Sequence, residues 1–382
     1  MRIAILGPYP LDRERLGGVE VAIVYAQQQL LKIPGVELHI VTCLAGLSEP
    51  RVMREDRLTI TFLPRKGMGR ITGHRHEIRA ILDVLAGFEP DVVHAHTSGL
   101  YAGAALASPY PSVITVHGIA VREARLLVGW QHKLRGLLDT LYERRVMRRT
   151  RHLMSITPYV DKVFKGVFSG RSYLVENACE ERFFDIERQP VPGRLLFAGP
   201  VVPRKGVLPL IQAVERVRAE YPHVHLHIAG SLGVDAEYGR ACQTYMEEHL
   251  PEAVTFLGHL SQERVIEEYG QCEVVVLPSL QETAPMVIEQ AMAAGVPSVA
   301  TRAGGVPWML DEGVTGLTLP LPESPEGEPR ALADALLCLL RDPVAMERMG
   351  AAAKEQAEAR FRSGAVARRT YEVYQRVIEA GR

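Results

Sequence analysis

Cysteine is scarce and scattered. The five residues, Cys43, Cys179, Cys242, Cys272 and Cys338, are odd in number, far apart and mostly set in apolar surroundings. That pattern suggests neither a disulfide framework nor a zinc knuckle, so reduced core thiols are expected. Long apolar runs are missing as well: no stretch approaches the roughly 20 residues of a membrane span. Met1 leads straight into "RIAILG" without a secretory apolar core, so a cytoplasmic location is expected. The first strand is followed by "PYPLDRERLGG" rather than G-x-G-x-x-G, which disfavours a nicotinamide-dependent oxidoreductase. Net charge is also small, at −1, and nucleic acid is not an expected partner.

What is present is ordinary soluble material, 47% hydrophobic and 23% charged, and 382 residues are too many for one average domain but suit two. The small net charge hides an asymmetry. Residues 1–185 carry 25 Lys and Arg against 19 Asp and Glu, whereas 186–382 carry 19 against 26. Much of the basic excess lies in "HKLRGLLDTLYERRVMRRTRH", His132 to His152, where Leu134, Leu137, Leu138, Leu141 and Val146 could form an apolar face beneath an arginine-rich one. Two readings are open: a surface helix docked by its leucines, or a helix that contacts anionic lipid.

Short apolar strands alternate with helical stretches through the first half: 2–7, 36–42, 91–96, 112–118 and 152–157, with helices such as Val19 to Leu31 and His76 to Ala86. This is a doubly wound α/β pattern. "ENACEERFFDIERQPVPG", Glu176 to Gly193, has no helical or strand period and is the expected linker. Alternation then restarts, with strands at 194–199, 224–230, 254–258, 272–277 and 297–301 and helices at Val207 to Tyr221 and Ser261 to Tyr269. The expected architecture is two Rossmann-like doubly wound parallel-sheet domains, 1–185 and 190–365, facing a cleft. A last helix, about 366–382, is expected to pack back on the first domain, and "LPESPEGEPRA", Leu321 to Ala331, to form a surface connection.

Two loops of the second half could carry chemistry. "PSLQETAPMVIEQAMAAGVPSVATRAGG", Pro278 to Gly305, reads as a loop and helix between two buried strands, and its right-handed crossover places Glu282 at the carboxyl edge of the sheet, where ligands of open α/β folds bind. The other loop, "FAGPVVPRKG", ends a strand at Phe197 and delivers Arg204, Lys205 and Gly206 ahead of a helix, which suits a phosphate. It lacks the G-x-x-x-x-G-K-[ST] spacing of a P-loop, against nucleoside triphosphate hydrolysis. Each feature also has a plainer reading: solvated charges for Lys205, a carboxylate favouring the helix dipole for Glu282, a turn for Gly17 and Gly18, and a satisfied strand-end residue for His117.

In order and spacing, Gly199 with Lys205-Gly206, Glu282-Thr-Ala-Pro through Gln290 to Gly295, and Thr301 to Gly305 resemble the GT-B glycosyltransferases, specifically the large retaining family 4, the glycosyl transferases group 1. The resemblance extends to "GGVE" at Gly17 to Glu20, "VHG" at Val116 to Gly118 and "ENACEERFF" before the second domain, so it covers nearly the whole chain. It implies a retaining transfer from a nucleotide-diphosphate sugar, held mainly by the second domain, to an unidentified acceptor held mainly by the first. Neither a metal nor a cofactor is implied. Lys205 would neutralise the diphosphate leaving group, where negative charge grows as the glycosidic bond breaks. Glu282 would accept hydrogen bonds from sugar hydroxyls, with Thr283 and Ala284 beside it, and Gln290 would meet the ribose. His117 would approach the donor sugar, and Gly17 and Gly18 would admit the main chain close to phosphate or acceptor. Gly199 and Arg204 complete the expected donor site.

Three positions depart from the family pattern. Pro200 replaces the usual Arg, which Arg204 is expected to offset; Gln290 replaces the second Glu; and Trp308 follows the Gly-Gly pair in place of Glu. Glu289 lies one position early and about 100° around the helix, so it is expected on another face. The departures keep open a catalytically silent nucleotide-sugar-binding or scaffold protein of this fold, with a nucleotide-sugar epimerase as a further alternative. The basic first domain suits a lipid-linked or otherwise anionic acceptor, and a saccharide acceptor is the other expectation. His94 with His96, and His223 with His225 and His227, alternate along strands as metal pairs would, but without an obvious carboxylate partner they are expected simply to hydrogen-bond.

Overall fold

Aliphatic and β-branched runs alternating with amphipathic segments form two largely parallel sheets, each with its own helices. The computed structural model describes residues 1–11, 17–66, 69–126, 129–323 and 329–381. Two units partition it: Met1–Ala178 with Ser363–Arg382, and Cys179–Arg362.

Among the described residues the first unit holds eight strands: β1 (Arg2–Leu6), β2 (Glu37–Leu44), β3 (Arg51–Glu55), β4 (Leu58–Pro64), β5 (Val92–His96), β6 (Ser112–Thr115), β7 (His152–Ser155) and β8 (Arg171–Leu174), in the order β3-β4-β2-β1-β5-β6-β7-β8. Ile3 registers against Leu38 on one side and Val92 on the other, and Ile3, Leu38 and Val92 are all buried. The second unit holds six: β9 (Arg194–Ala198), β10 (His225–Ala229), β11 (Val254–Gly258), β12 (Val274–Leu277), β13 (Ser298–Thr301) and β14 (Gly316–Leu319), in the order β11-β10-β9-β12-β13-β14. Its strands are all parallel, so successive strands are joined by crossover connections rather than hairpins.

The sequence reading passed over β3, β4, β8 and β14. β3 runs antiparallel to β4 at the sheet edge and is mostly exposed, so "RVMRE" has no buried period to display, and the first sheet is mixed rather than purely parallel. The expected linker is structured too. Cys179 donates its N–H to Phe361 (2.9 Å), and a helix at Glu181–Phe184 buries Phe183 and Phe184 in the second core. Burying each ring contributes roughly 1.5–3 kcal/mol, which explains how an aperiodic segment is ordered. Residues 324–328 of the expected acidic connection lie outside the described residues, and Pro329 already begins the Pro329–Leu340 helix.

Tertiary placement also decides the basic helix, Trp130–Arg149. It docks through Gly136, Glu143, Val146 and Met147, not through its leucines: Leu134, Leu137, Leu138 and Leu141 are exposed, as is Trp130. No helix among the described residues is long and apolar enough to cross a membrane.

The last helix, Ser363–Gly381, belongs to the first unit and packs on the Gly18–Leu30 helix, β5 and β6. Its fully buried Tyr374 hydroxyl bonds His94 Nδ1 at 2.7 Å. Tyr374→Phe strands that nitrogen without a partner and should destabilise the first unit by about 1–2 kcal/mol, read as a lower urea midpoint at unchanged slope.

Candidate active site

In the second sheet the chain leaves β9 toward β10 and β11 on one side, and later fills β12, β13 and β14 on the other. The order reverses between β9 and β12, so the loops after these two strands flank the crevice in which open α/β sheets bind ligands. They are the loops of Lys205 and Glu282.

Glycines shape the first loop. Gly199 leaves β9 at φ +146, a conformation closed to most side chains, and a Cβ on Gly230 of the neighbouring loop would lie only 1.7 Å from the Gly199 carbonyl oxygen. One turn of 3₁₀ helix, Pro203–Lys205, then ends at Gly206 in the left-handed region, where a Cβ would stand 2.3 Å from Pro278 O. Leu280 N–H donates to Arg204 O at 2.8 Å, stitching the two loops together. Gly305 N–H donates to Glu282 O at 3.1 Å, adding the Gly-Gly turn after β13.

Held this way, Lys205 Nζ donates to Glu282 Oε1 at 2.6 Å, and both side chains are about nine-tenths buried (10% and 9% exposed). Removing two charges from water is costly, so the pair is sustained by its geometry and its mutual attraction. An ammonium has three N–H donors, and this contact uses one. Among the described residues the other two N–H donors and Glu282 Oε2 have no further hydrogen bond.

The other expected donor residues fall around this pair. Thr283 is buried, Ala284 and Arg204 half-buried, all in the same two loops. Gln290, one turn into the Met286–Ala293 helix, accepts from the Tyr269 hydroxyl at 3.1 Å and keeps its NH₂ as donor. Glu289 turns away from it, 1% exposed beside Cys179, whose thiol is pushed up first by burial and then by the Glu289 charge. Trp308, half-buried in a 3₁₀ turn, anchors through its carbonyl, which accepts from Arg360 Nη2 at 2.9 Å.

The remaining residues belong to the first unit. His117 Nε2 and His96 Nδ1 lie 2.8 Å apart, and His94, besides Tyr374, meets Thr115 Oγ1 at 2.7 Å. Gly17 is exposed at the N-terminus of the Gly18–Leu30 helix, and a Cβ there would meet Glu20 Oε2 at 2.6 Å. Sequence reasoning missed Glu143, a buried carboxylate that accepts from Ser98 Oγ (2.7 Å) and Ala120 N (3.0 Å) and so ties the loops after β5 and β6 together. It also missed a partner for His227: Glu268 Oε2 lies 2.6 Å from His227 Nδ1. Glu268 stands 41 residues downstream, and only the packing of the Gln262–Gln271 helix brings it there. No group of three or more potential ligands among the described residues could hold a metal ion.

Two family profiles match this chain in tandem: Glycosyltransferase Family 4 over residues 16–180, and Glycosyl transferases group 1 over 192–342. The glycogen synthase of Mycobacterium tuberculosis is 28% identical over 298 residues, covering 75% of this chain and 69% of that protein. The phosphatidyl-myo-inositol mannosyltransferase of the same organism is 26% identical over an alignment spanning 100% of this chain and 98% of that one. The chain belongs to the GT-B glycosyltransferases. Solved structures agree on the fold of this glycosyltransferase: sucrose-phosphate synthase from Thermosynechococcus elongatus has a TM-score of 0.82 at 20% identity, covering 99% of both chains. Anabaena HepE in complex with UDP-glucose has a TM-score of 0.72 at 17% identity, over 100% of this chain and 99% of that one.

Three clustered histidines of the glycosyltransferase's first unit, His94, His96 and His117, are held toward the neutral form by burial. Burial pulls His117 to about 4, and burial followed by the His117 charge pulls His94 to about 3; His96 is also held well below the ordinary 6.5. The unfolded chain takes up these protons near pH 6.5, before the native one does, so their contribution is complete above that pH and is lost as pH falls toward 4. The loss should approach 1.4 kcal/mol per pH unit per histidine, about the linkage limit. Urea unfolding at pH 7 and pH 5 should show it, and His117→Gln should make the dependence shallower.

Proposed function

We propose that this glycosyltransferase moves a sugar from a nucleotide-diphosphate sugar to its acceptor with retained anomeric configuration and without a metal. The observation that carries the reading is the buried Lys205–Glu282 pair at the switch point of the second sheet. A diphosphate seated beside Lys205 takes the two N–H donors the ion pair leaves, and the ammonium offsets charge on the leaving oxygen, a role that otherwise falls to a divalent ion. Glu282, fixed by Lys205, orients the sugar through its second oxygen. The Gln290 amide donates to the ribose. His117, neutral and braced by His96, serves the sugar as a hydrogen-bonding group rather than a cation. Support comes also from HepE, solved with UDP-glucose on the same fold.

Incubated with single nucleotide sugars and candidate acceptors, the protein should release nucleoside diphosphate, and Lys205→Ala should lower kcat by about 10²–10³. Proton NMR of the product should show the donor's own anomeric configuration, and EDTA should leave the rate unchanged. Inverted product or EDTA-sensitive turnover would refute the corresponding part.

The acceptor belongs to a membrane surface in this proposal. Exposed Trp130, Leu134, Leu137, Leu138 and Leu141 share a helix with Lys133, Arg144, Arg145, Arg148 and Arg149, the composition of a helix that lies in an anionic interface. A relative that spans the whole chain is named for transfer to a phosphatidylinositol. Co-sedimentation with anionic vesicles should weaken as salt rises and should be lost in Leu137→Ser/Leu141→Ser; binding indifferent to both would overturn the membrane reading.

A further inference from the structure

On the first unit, a cavity of about 340 Å³ opens among the Arg75–Phe88, Leu100–Ala107 and Trp130–Arg149 helices. Arg75, Arg145 and Arg149 line it, and among the described residues no Asp or Glu does. None of the three guanidiniums forms an ion pair with a described residue. Nearby carboxylates are engaged elsewhere: Glu77 accepts from Lys66 N (3.0 Å), Asp139 pairs with Arg135 (3.9 Å), and Glu143 holds the Ser98 and Ala120 loops. Tyr142 adds a hydroxyl with no hydrogen-bond partner among the described residues. Gly103 makes its position possible, because a Cβ there would stand 2.2 Å from that oxygen. Three like charges gathered around one hollow repel each other until an anion joins them, and a guanidinium fork with a phenolic O–H matches phosphate oxygens.

Ile78, Leu106 and Val146 give the same lining an apolar part. A free phosphate has no use for them; an ester with a hydrocarbon neck does. The arrangement along the helix points the same way. At about 100° per residue, Leu134, Leu137, Leu138, Leu141, Arg145 and Arg149 fall within a sector of roughly 120°. The exposed apolar stripe therefore runs directly into the two pocket arginines, apolar toward the acyl region and basic at headgroup level.

We propose that this pocket binds the phosphate of an anionic phospholipid. The choice of lipid as the source rests on the membrane reading of the Trp130–Arg149 helix, whereas the phosphate chemistry does not. Calorimetric titration of the full chain with dibutyryl phosphatidic acid, monomeric in water, tests the pocket without a membrane. Wild type should bind, and Arg75→Gln/Arg145→Gln should weaken binding by about tenfold or more. Lys133→Gln/Arg144→Gln, which removes the same charge from exposed sites outside the pocket, should shift it by no more than about twofold. Leu137→Ser/Leu141→Ser should lose vesicle binding yet keep the titration intact. No binding by wild type, or equal binding by wild type and the Arg75/Arg145 variant, overturns the site. Inorganic phosphate competing as well as the lipid, or an intact titration in a wild type that ignores vesicles, overturns the lipid source.

Discussion

An amine and a carboxylate held together out of water mark the candidate site of the second unit. Lys205 and Glu282 stand 77 positions apart and reach each other only because β9 and β12 are neighbours in the sheet, and because the Leu280–Arg204 backbone bond fixes the spacing of their loops. The glycines follow from that requirement: at Gly206 and Gly230 main chain passes against main chain with no room for a Cβ, and Gly199 takes a φ of +146 that side chains rarely adopt. An ion pair so placed is poor at stabilising a protein for its own sake, because desolvation offsets much of its attraction. What the contact does fix is orientation: each side chain holds the other in place at the carboxyl edge of the sheet.

The first unit solves a different problem. Three imidazoles sit close together without mutual repulsion because burial keeps them uncharged, and hydroxyls from Thr115 and Tyr374 complete the bonds of His94. Glu143 gives the adjoining loops a shared acceptor from the helix beneath. That helix therefore buries its working carboxylate on one face and leaves leucines and arginines on the other.

Much of this was legible in the residues, and the gaps have physical causes. Strands buried on both faces announce themselves as apolar runs, which is why β1, β5 and β12 could be read directly; β3 and β8 lie at sheet edges, mostly exposed, and carry no such period. The loops of Lys205 and Glu282 were readable as ends of strands, but their direct contact depends on strand order, a property of the whole sheet. Leucines at helical spacing look alike whether they face a core or water, so the docking face of the Trp130–Arg149 helix had to come from packing. Glu268 beside His227 is a long-range pairing of the same kind.

One consequence follows from the last helix. Between Ala178 and Ser363 the chain builds an entire unit, and only then supplies Val373, Tyr374 and Val377 to the interior of the earlier one. During translation, the segment made first must wait with part of its interior open while the segment made second is finished. His94 meets its tyrosine across 280 positions. Order of synthesis and order of completion are thus reversed, and the nascent first half is where a chaperone would find exposed apolar surface.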